Sequence, residues 1–288
     1  MNLLTFIKRK TQRFIKFFFR HEIKGAQRIV KHNNFDAVIK FLLKDEDESH
    51  QIFFDVGANK GQSINRFKKI NAKSLIHSFE PTPHLYKFLC DKFKHDQNIK
   101  LNNLGLADTN GVINFHCYKY SSINSPYPID EKTKFFKARI ITSKADKDNY
   151  EEIIRINVTS IDEYCSKNSI EEIDLVKIDT QGYEAKILEG MQNMLDKNKV
   201  SIIELELILG FAYKKNFSFY DYEKILGNKN YKLIAIETAG NCVSFSNYQT
   251  NLLYVNNEIF EKIRQMHEKN IDIPGVANRT DNYYPFSY

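Results

Sequence analysis

Phe53-Phe54-Asp55-Val56-Gly57-Ala58-Asn59-Lys60-Gly61-Gln62-Ser63 is the stretch on which the reading of this chain turns. The apolar run Ile52–Val56 has the length of a buried strand, and Ile64, Phe67 and Ile70 then recur at helical spacing. Strand, glycine turn, helix is therefore the local order. Such a turn gathers backbone N–H groups and the positive end of a helix at one point, where the polar part of a cofactor can be held. The spacing is Asp-x-Gly-x-x-x-Gly. It is neither the Gly-x-Gly-x-x-Gly of dinucleotide-binding dehydrogenases nor a phosphate loop ending in Gly-Lys-Ser/Thr. Glycine turns also follow strands that bind nothing, so this one needs partners elsewhere in the chain.

Lys73 to Phe79 reads as a second strand ending at Glu80-Pro81, and Thr82-Pro83 as an N-cap followed by proline at the first helical position. The helix continues to about Phe93. An acid at the end of the second strand, some twenty residues past the glycine turn, is where a ribose diol is held in folds of this kind. The alternative for Glu80 is a solvent-facing or helix-dipole acid. Ile99–Leu104 reads as a third strand, followed by Gly105-Leu106-Ala107-Asp108 and a return strand over Val112–Tyr118. The polar, lysine-rich stretch Ser121–Asp148 is too long for an ordinary connection. It reads as a substrate-side insertion, with an unstructured loop as the alternative.

Ser160 and Glu163 have capping-box spacing at the start of a helix. Ile173 to Ile178 reads as a buried strand ending in Asp179, with a turn at Gly182 and a helix to about Leu195. Val200–Leu207 is a further strand, carrying Glu204 and Glu206 in an apolar run, which is costly unless they are paired or lie at a strand end. Tyr220–Leu226 reads as helix. Tyr231–Ile236 and Asn251–Val255 are the last strands, with no helix between them, and so can pair as a hairpin. A short helix and a Tyr/Pro-rich tail follow. Alternation of strands and helices predicts a doubly wound, mostly parallel α/β sheet, whose ligands sit beyond the carboxyl ends of the strands. The Asp55–Gly61 turn, Glu80, the Gly105–Asp108 turn and Asp179 all fall at such ends. The expected organisation is an N-terminal helical extension over 1–50, a main domain over 51–260 with an insertion at 116–156, and a terminal helix and tail over 261–288.

The 288 residues, 42% hydrophobic, suffice for a sizeable core. Cys90, Cys117, Cys165 and Cys242 form no Cys-x-x-Cys pair and have no zinc-like spacing, so they read as free thiols of a reducing compartment. Six basic residues (Lys8, Arg9, Lys10, Arg13, Lys16, Arg20) lie in the first twenty, with no acid. The remainder carries 36 Lys/Arg and 36 Asp/Glu. That balance argues against a nucleic-acid-binding surface on the body. In residues 1–20, Leu3, Leu4, Ile7, Phe14, Ile15 and Phe18 share one helical face opposite Arg9, Arg13, Lys16 and Arg20. This is the pattern of an interfacial helix, and it predicts peripheral contact with the cytoplasmic face of a membrane. The alternative is a helix docked on its own domain. No apolar run is long enough to cross a bilayer.

Phe54-Asp55-Val56-Gly57-Ala58-Asn59-Lys60-Gly61, Phe79-Glu80-Pro81, Gly105-Leu106-Ala107-Asp108 and Asp174-Leu175-Val176-Lys177-Ile178-Asp179-Thr180-Gln181-Gly182-Tyr183-Glu184 resemble the FkbM-type methyltransferases over about residues 51–236. The resemblance implies a class I, S-adenosyl-L-methionine-dependent fold, with seven strands of which the last is antiparallel. It implies methylation of hydroxyl groups, often on sugars or natural products. Asp55, Gly57, Asn59 and Gly61 would cradle the methionine part, Glu80 would hold the ribose, and Leu106 and Asp108 would flank the adenine. Thr180-Gln181 stands where the family more often has Val-Glu. The chain thus lacks a carboxylate beside Asp179 and has Asp179 as its acid/base candidate. Lys177, two residues earlier on the same side, would orient the acceptor or, alternatively, form a structural pair with Glu184. No metal cluster shows in the spacing, although Asp179 with Glu204 or Glu206 would make an oxygen site. Two competing classes share part of the pattern. A nicotinamide-dependent oxidoreductase is disfavoured by the glycine spacing. A non-catalytic membrane-surface protein on the same scaffold is disfavoured by the intact glycine turn and Glu80.

Overall fold

The computed structural model describes residues 34–44, 50–137, 140, 150–208, 212–215, 217–238 and 249–269. The amphipathic pattern of residues 1–20 lies outside them. Seven strands form the main sheet: β1 (Ile52–Val56), β2 (Leu75–Phe79), β3 (Ile99–Asn102), β7 (Ile173–Ile178), β8 (Val200–Ile208), β9 (Lys232–Thr238) and β10 (Gln249–Val255). Their spatial order is β3-β2-β1-β7-β8-β10-β9. All neighbours are parallel except β10, which runs antiparallel to both β8 and β9. This is the expected seven-stranded sheet with its reversed last strand and terminal hairpin. The chain winds from β1 outward to β3 and then returns to the other side of β1 with β7. The switch point is therefore the gap between the ends of β1 and β7, where such sheets bind ligands.

β1 and β7 are apolar throughout except for Asp55, Asp174 and Lys177, as befits strands covered on both faces. One face packs on α1 (Asn34–Leu42), α2 (Gln62–Ile70) and α3 (Pro83–Phe93), through Phe35, Ile39, Phe53, Ile64, Phe67 and Leu89. Gln51 Nε2 donates to the Leu43 carbonyl, so residues 35–43 pack into the main core. The other face packs on α4 (Ile161–Asn168), α5 (Glu184–Glu189), α6 (Gln192–Asp196) and α7 (Phe219–Leu226). α8 (Asn257–Glu268) runs across the boundary expected at residue 260. Ser160 caps α4 as its spacing predicts, its Oγ accepting from Glu163 N.

One reading of the elements is corrected. The helix expected to run from Gly182 to Leu195 is broken into α5 and α6. At the break, a Cβ on Gly190 would lie 2.0 Å from the Ala107 carbonyl oxygen. The backbone at Ala107 and Asp108 thus presses on the helix at that point, and Asp162 N donates to the Gly190 carbonyl. The return strand does not join the main sheet. β4 (Gly105–Leu106), β5 (Gly111–Tyr118) and β6 (Glu151–Thr159) form a separate three-stranded sheet in the order β4-β6-β5. β6 has no clear apolar alternation in its outer half, Glu151–Arg155, so its pairing with β5 is not encoded locally.

Candidate active site

The backbone after β1 is stitched to both neighbouring strands. Gly57 N and Ala58 N donate to the Phe79 carbonyl, and Asp179 N donates to the Val56 carbonyl. Gly57 has φ +90, and Asn59, a residue that tolerates the left-handed region, has φ 48. Asn59 N donates to Glu80 Oε2 at 2.8 Å, and Thr82 N donates to Oε1 at 2.9 Å. The Glu80 carboxylate is thereby fixed at the end of β2, 5% exposed. Burial raises its pKa, and the N–H bonds from Thr82 and Asn59 oppose that rise. Both oxygens keep a lone pair for a further donor.

A cavity of about 370 Å³ opens at the switch point. Glu80, Gly57 and Asn59 stand on its wall. One stretch of wall is apolar and comes from the small sheet and the loop before it: Leu104, Leu106, Ile113, Phe115, Ile156 and Val158. Another is polar: Asp179, Thr180, Gln181 and Glu206. The insertion spans the two turns that meet there. Ser121 Oγ donates to Asn59 Oδ1 and Ser125 Oγ donates to the Gln181 carbonyl. The segment after β8 braces the insertion, through Lys214 N to the Pro128 carbonyl and Asp130 N to the Ala212 carbonyl.

The residues singled out from sequence divide into two groups. Gly57, Asn59, Glu80, Leu106 and Asp179 line the cavity. Asp55, Gly61, Asp108 and Lys177 do not. Gly61 packs against Phe93 and Leu89, whose side chains a Cβ would meet at 3.0 Å or less. Asp108, placed beside the adenine by family resemblance, instead accepts from Lys186 Nζ at 3.0 Å. It faces a separate depression with Ser160 and Asp162.

Asp55 and Lys177 lie one layer behind the wall. Strand register places Ser78, Asp55, Lys177 and Glu204 in one row across β2, β1, β7 and β8. Ser78 Oγ donates to Asp55 Oδ2, while Asp55 Oδ1 has no hydrogen-bond partner among the described residues. Burial pushes the Asp55 carboxyl up to about 6, with Lys177 opposing the shift. Arg66 reaches the row from α2 and holds Glu204 with two nitrogens and Asp36 of α1 with a third. Lys177 Nζ donates to Asp179 Oδ2 at 2.7 Å. Burial disfavours the lysine's charge, but Asp179, Glu204 and Asp55 together keep it protonated. Asp179 is in turn held ionised: burial alone would raise its pKa, and Lys177 brings it below the ordinary value.

The alternative pairing of Lys177 with Glu184 does not occur. Glu184 Oε1 accepts from Thr180 N and Gly182 N, and Tyr222 Oη donates to Oε2. Its role is to brace the turn in which Gln181 has φ 57 and Gly182 φ 96. Glu206 enters the sequence reading only as a possible oxygen ligand beside Asp179, not as a catalytic or cofactor-binding residue. Its signal was there, an acid inside an apolar strand. Its place beside Asp179 depends on the pairing of β7 with β8. Gln181 Nε2 bridges the two, lying 3.2 Å from Asp179 Oδ1 and bonding to Glu206 Oε2. Among the described residues no group of three or more His, Cys, Asp or Glu side chains is placed to hold a metal ion.

Comparison with known proteins points the same way. The sequence model of the methyltransferase FkbM domain matches residues 55–233. The 2-O-methyltransferase NoeI of Sinorhizobium fredii is 24% identical over 148 residues, which are 51% of this chain and 60% of NoeI. The hexuronic acid methyltransferase AglP of Haloferax volcanii is 23% identical over 185 residues, 64% of each chain. The chain thus spans less than two thirds of the length of either relative. Magnesium protoporphyrin IX methyltransferase of Synechocystis PCC 6803, solved with S-adenosylmethionine, superimposes with a TM-score of 0.41 at 11% identity, covering 82% of this chain and 81% of that one.

Proposed function

The chain belongs to the FkbM methyltransferase family, whose cofactor is S-adenosylmethionine, and we propose that it methylates a hydroxyl group of a sugar, a glycan or a related metabolite. Glu80 carries this reading. A buried carboxylate at the end of β2, pinned by two backbone N–H groups and open to the cavity, fits a vicinal diol. Gly57 fits as well, since only a residue without a Cβ leaves room at that turn. The cofactor, when bound, supplies an electrophilic methyl group on a cationic sulfur. The chain's own residues do the rest. Asn59 and Gly57 would hold the polar tail at the β1 turn, and the apolar wall around Leu106 and Phe115 would receive the base. Asp179 accepts the hydrogen bond of the acceptor hydroxyl, and Lys177 fixes the direction in which Asp179 points. Orientation of two reactants is a large part of such a displacement.

The hexuronic acid methyltransferase AglP supports a carbohydrate acceptor and the 2-O-methyltransferase NoeI an oxygen as the methylated atom, and the cavity's hydroxyl- and amide-bearing residues suit both. The same reading extends to location. Residues 1–20 would hold the enzyme at a membrane face carrying lipid-linked acceptors. Among the described residues no helix is long and apolar enough to cross a membrane. The test of function is incubation with methyl-labelled S-adenosylmethionine and a panel of methyl glycosides and uronic acid glycosides. One class should gain a methyl ether. Absence of calorimetric binding of S-adenosylmethionine would overturn the cofactor assignment. Binding without labelled product from any glycoside would overturn the acceptor assignment.

A further inference from the structure

Asp179, taken alone, is a poor proton acceptor. Lys177 Nζ holds its Oδ2 at 2.7 Å and Gln181 Nε2 stands 3.2 Å from Oδ1. A carboxylate stabilised in this way has little tendency to take a proton from a hydroxyl. A second carboxyl shares its site. Glu206 of β8 is 5% exposed, lines the same cavity, bonds to the same Gln181 nitrogen and is within hydrogen-bond reach of Asp179. The register accounts for the meeting. Lys177 pairs with Glu204 across β7 and β8, so two residues further along the same face Asp179 comes beside Glu206. The chain thus recovers, from a neighbouring strand, the carboxylate that Gln181 lacks.

We propose that Asp179 and Glu206 act as one proton-holding pair, in which Glu206 takes the proton that the acceptor hydroxyl loses. The proposal rests on the methyl-transfer reading above. In the step, the acceptor oxygen forms a bond to the methyl carbon while the carbon–sulfur bond breaks and its electron pair stays on sulfur. The hydroxyl proton passes to Glu206, which goes from carboxylate to acid, and Asp179 remains ionised beside Lys177. The sulfonium charge is cancelled as the proton is taken up, so charge and atoms balance.

The groups facing Glu206 set when it can do this. Asp179 and Lys177 come from β7 and its end, Glu184 from α5, Tyr222 from α7, Gln181 from the turn and Tyr213 from the segment after β8. Asn251 stands opposite on β10. Burial first, then the charges of Asp179 and Glu184, raise the Glu206 pKa well above the ordinary carboxylate value, and Lys177 only partly offsets them. Two adjacent carboxyls of this kind hold one proton between them, and it sits on Glu206. The ionised pair is then the active form. It is favoured by rising pH, and by a cation in the same cavity.

The test has two arms. In the first, S-adenosylmethionine and S-adenosylhomocysteine, which lacks the sulfonium charge and has no net charge, are titrated calorimetrically, in buffers of different ionisation enthalpy. The cationic ligand should release more protons than the neutral one from the wild-type protein, and Glu206→Gln should abolish the difference. In the second arm, turnover of the glycoside that accepts the methyl group should rise with pH in the wild type, and Glu206→Gln should lower it roughly 10²–10⁴-fold and flatten the profile. The double variant Asp179→Asn/Glu206→Gln should be no slower than the slower single variant, as for residues that act as a unit. Equal proton release in wild type and Glu206→Gln, or a Glu206→Gln enzyme with the wild-type rate and profile, would overturn the pair. Should S-adenosylmethionine fail to bind at all, the methyl-transfer reading fails and the pair falls with it. If it binds but no glycoside is turned over, the acceptor class is wrong and the proton-release arm decides for or against the pair.

Discussion

Gly57 and Asp179 meet backbone to backbone: a Cβ at residue 57 would stand 2.0 Å from the carbonyl oxygen of Asp179. The turn that ends β1 and the turn that ends β7 are thus one packed unit.

Gly57→Ala tests that contact. The substitution meets both a backbone oxygen and a φ of +90, where side chains are strained. Strain of this sort costs about 1–3 kcal/mol before any clash is counted. Thermal unfolding should fall by several degrees, and cofactor affinity should drop with it. A variant as stable as the wild type would mean that the two turns are not in contact.

Glu80→Ala removes the acceptor of two backbone N–H groups and the carboxylate proposed to hold the diol. S-adenosylmethionine should bind more weakly by about 1.5–3 kcal/mol, the scale of hydrogen bonds to a charged group. Calorimetry on the folded variant measures it directly, and unchanged affinity would remove Glu80 from the site.

Lys177→Met separates support from chemistry. Lys177 is buried against Asp179, Asp55 and Glu204, and is their shared counter-charge. Breaking such a group by removing one partner costs about 3–5 kcal/mol. Denaturant unfolding should show that loss. A stable but inactive variant would instead place Lys177 among the residues that act on the acceptor.

Asp55→Asn makes a prediction about pH. The Asp55 carboxyl is raised by burial from 3.8 to about 6 in the folded chain. The folded state therefore binds the proton more tightly, and this stabilising effect is present below about pH 4 and lost as pH rises through 6. His77, buried beside Tyr164 and lowered by burial from 6.5 to about 4, acts oppositely: its contribution is lost as pH falls from 6.5 through 4. In the wild type the two slopes largely cancel. With Asp55→Asn the histidine slope remains, so the variant's stability relative to wild type should rise between pH 4 and 6 by roughly 2–3 kcal/mol. Parallel stability curves for the two proteins would refute the assignment.

Residues 1–20 make a prediction about location. Six basic residues and an apolar face should give binding to anionic vesicles, with about 1 kcal/mol for each basic residue near the surface. Co-sedimentation should need anionic lipid, weaken with salt and vanish on removal of residues 1–20, with the remainder still folded. If the truncated protein unfolds and the full chain ignores anionic vesicles, the helix belongs to the core.

The sequence by itself determined what depends on neighbours along the chain. Ile52–Val56 followed by Gly57 and by Ile64, Phe67 and Ile70 reads as a strand, a turn and a helix, because a short apolar run bounded by a glycine turn and an apolar period of 3.6 report local backbone geometry. The same local logic put Glu80 and Asp179 at strand ends, and the alternation of elements implied the parallel sheet. Tertiary structure decided everything that depends on pairing between distant strands. The register of β7 on β8 brings Glu206 to Asp179, and that of β1 on β7 places Asp55 and Lys177 behind the cavity wall instead of on it. Asp108 sits in a turn of the right composition, yet Lys186, 78 residues away, draws it outside the cavity. Ser121 and Ser125 reach the two site turns from an insertion that has no periodicity to read. The physical reason is common to all four. A contact between distant residues is set by which strands pair and in what register, and those follow from packing of the whole core, which no local stretch of sequence encodes.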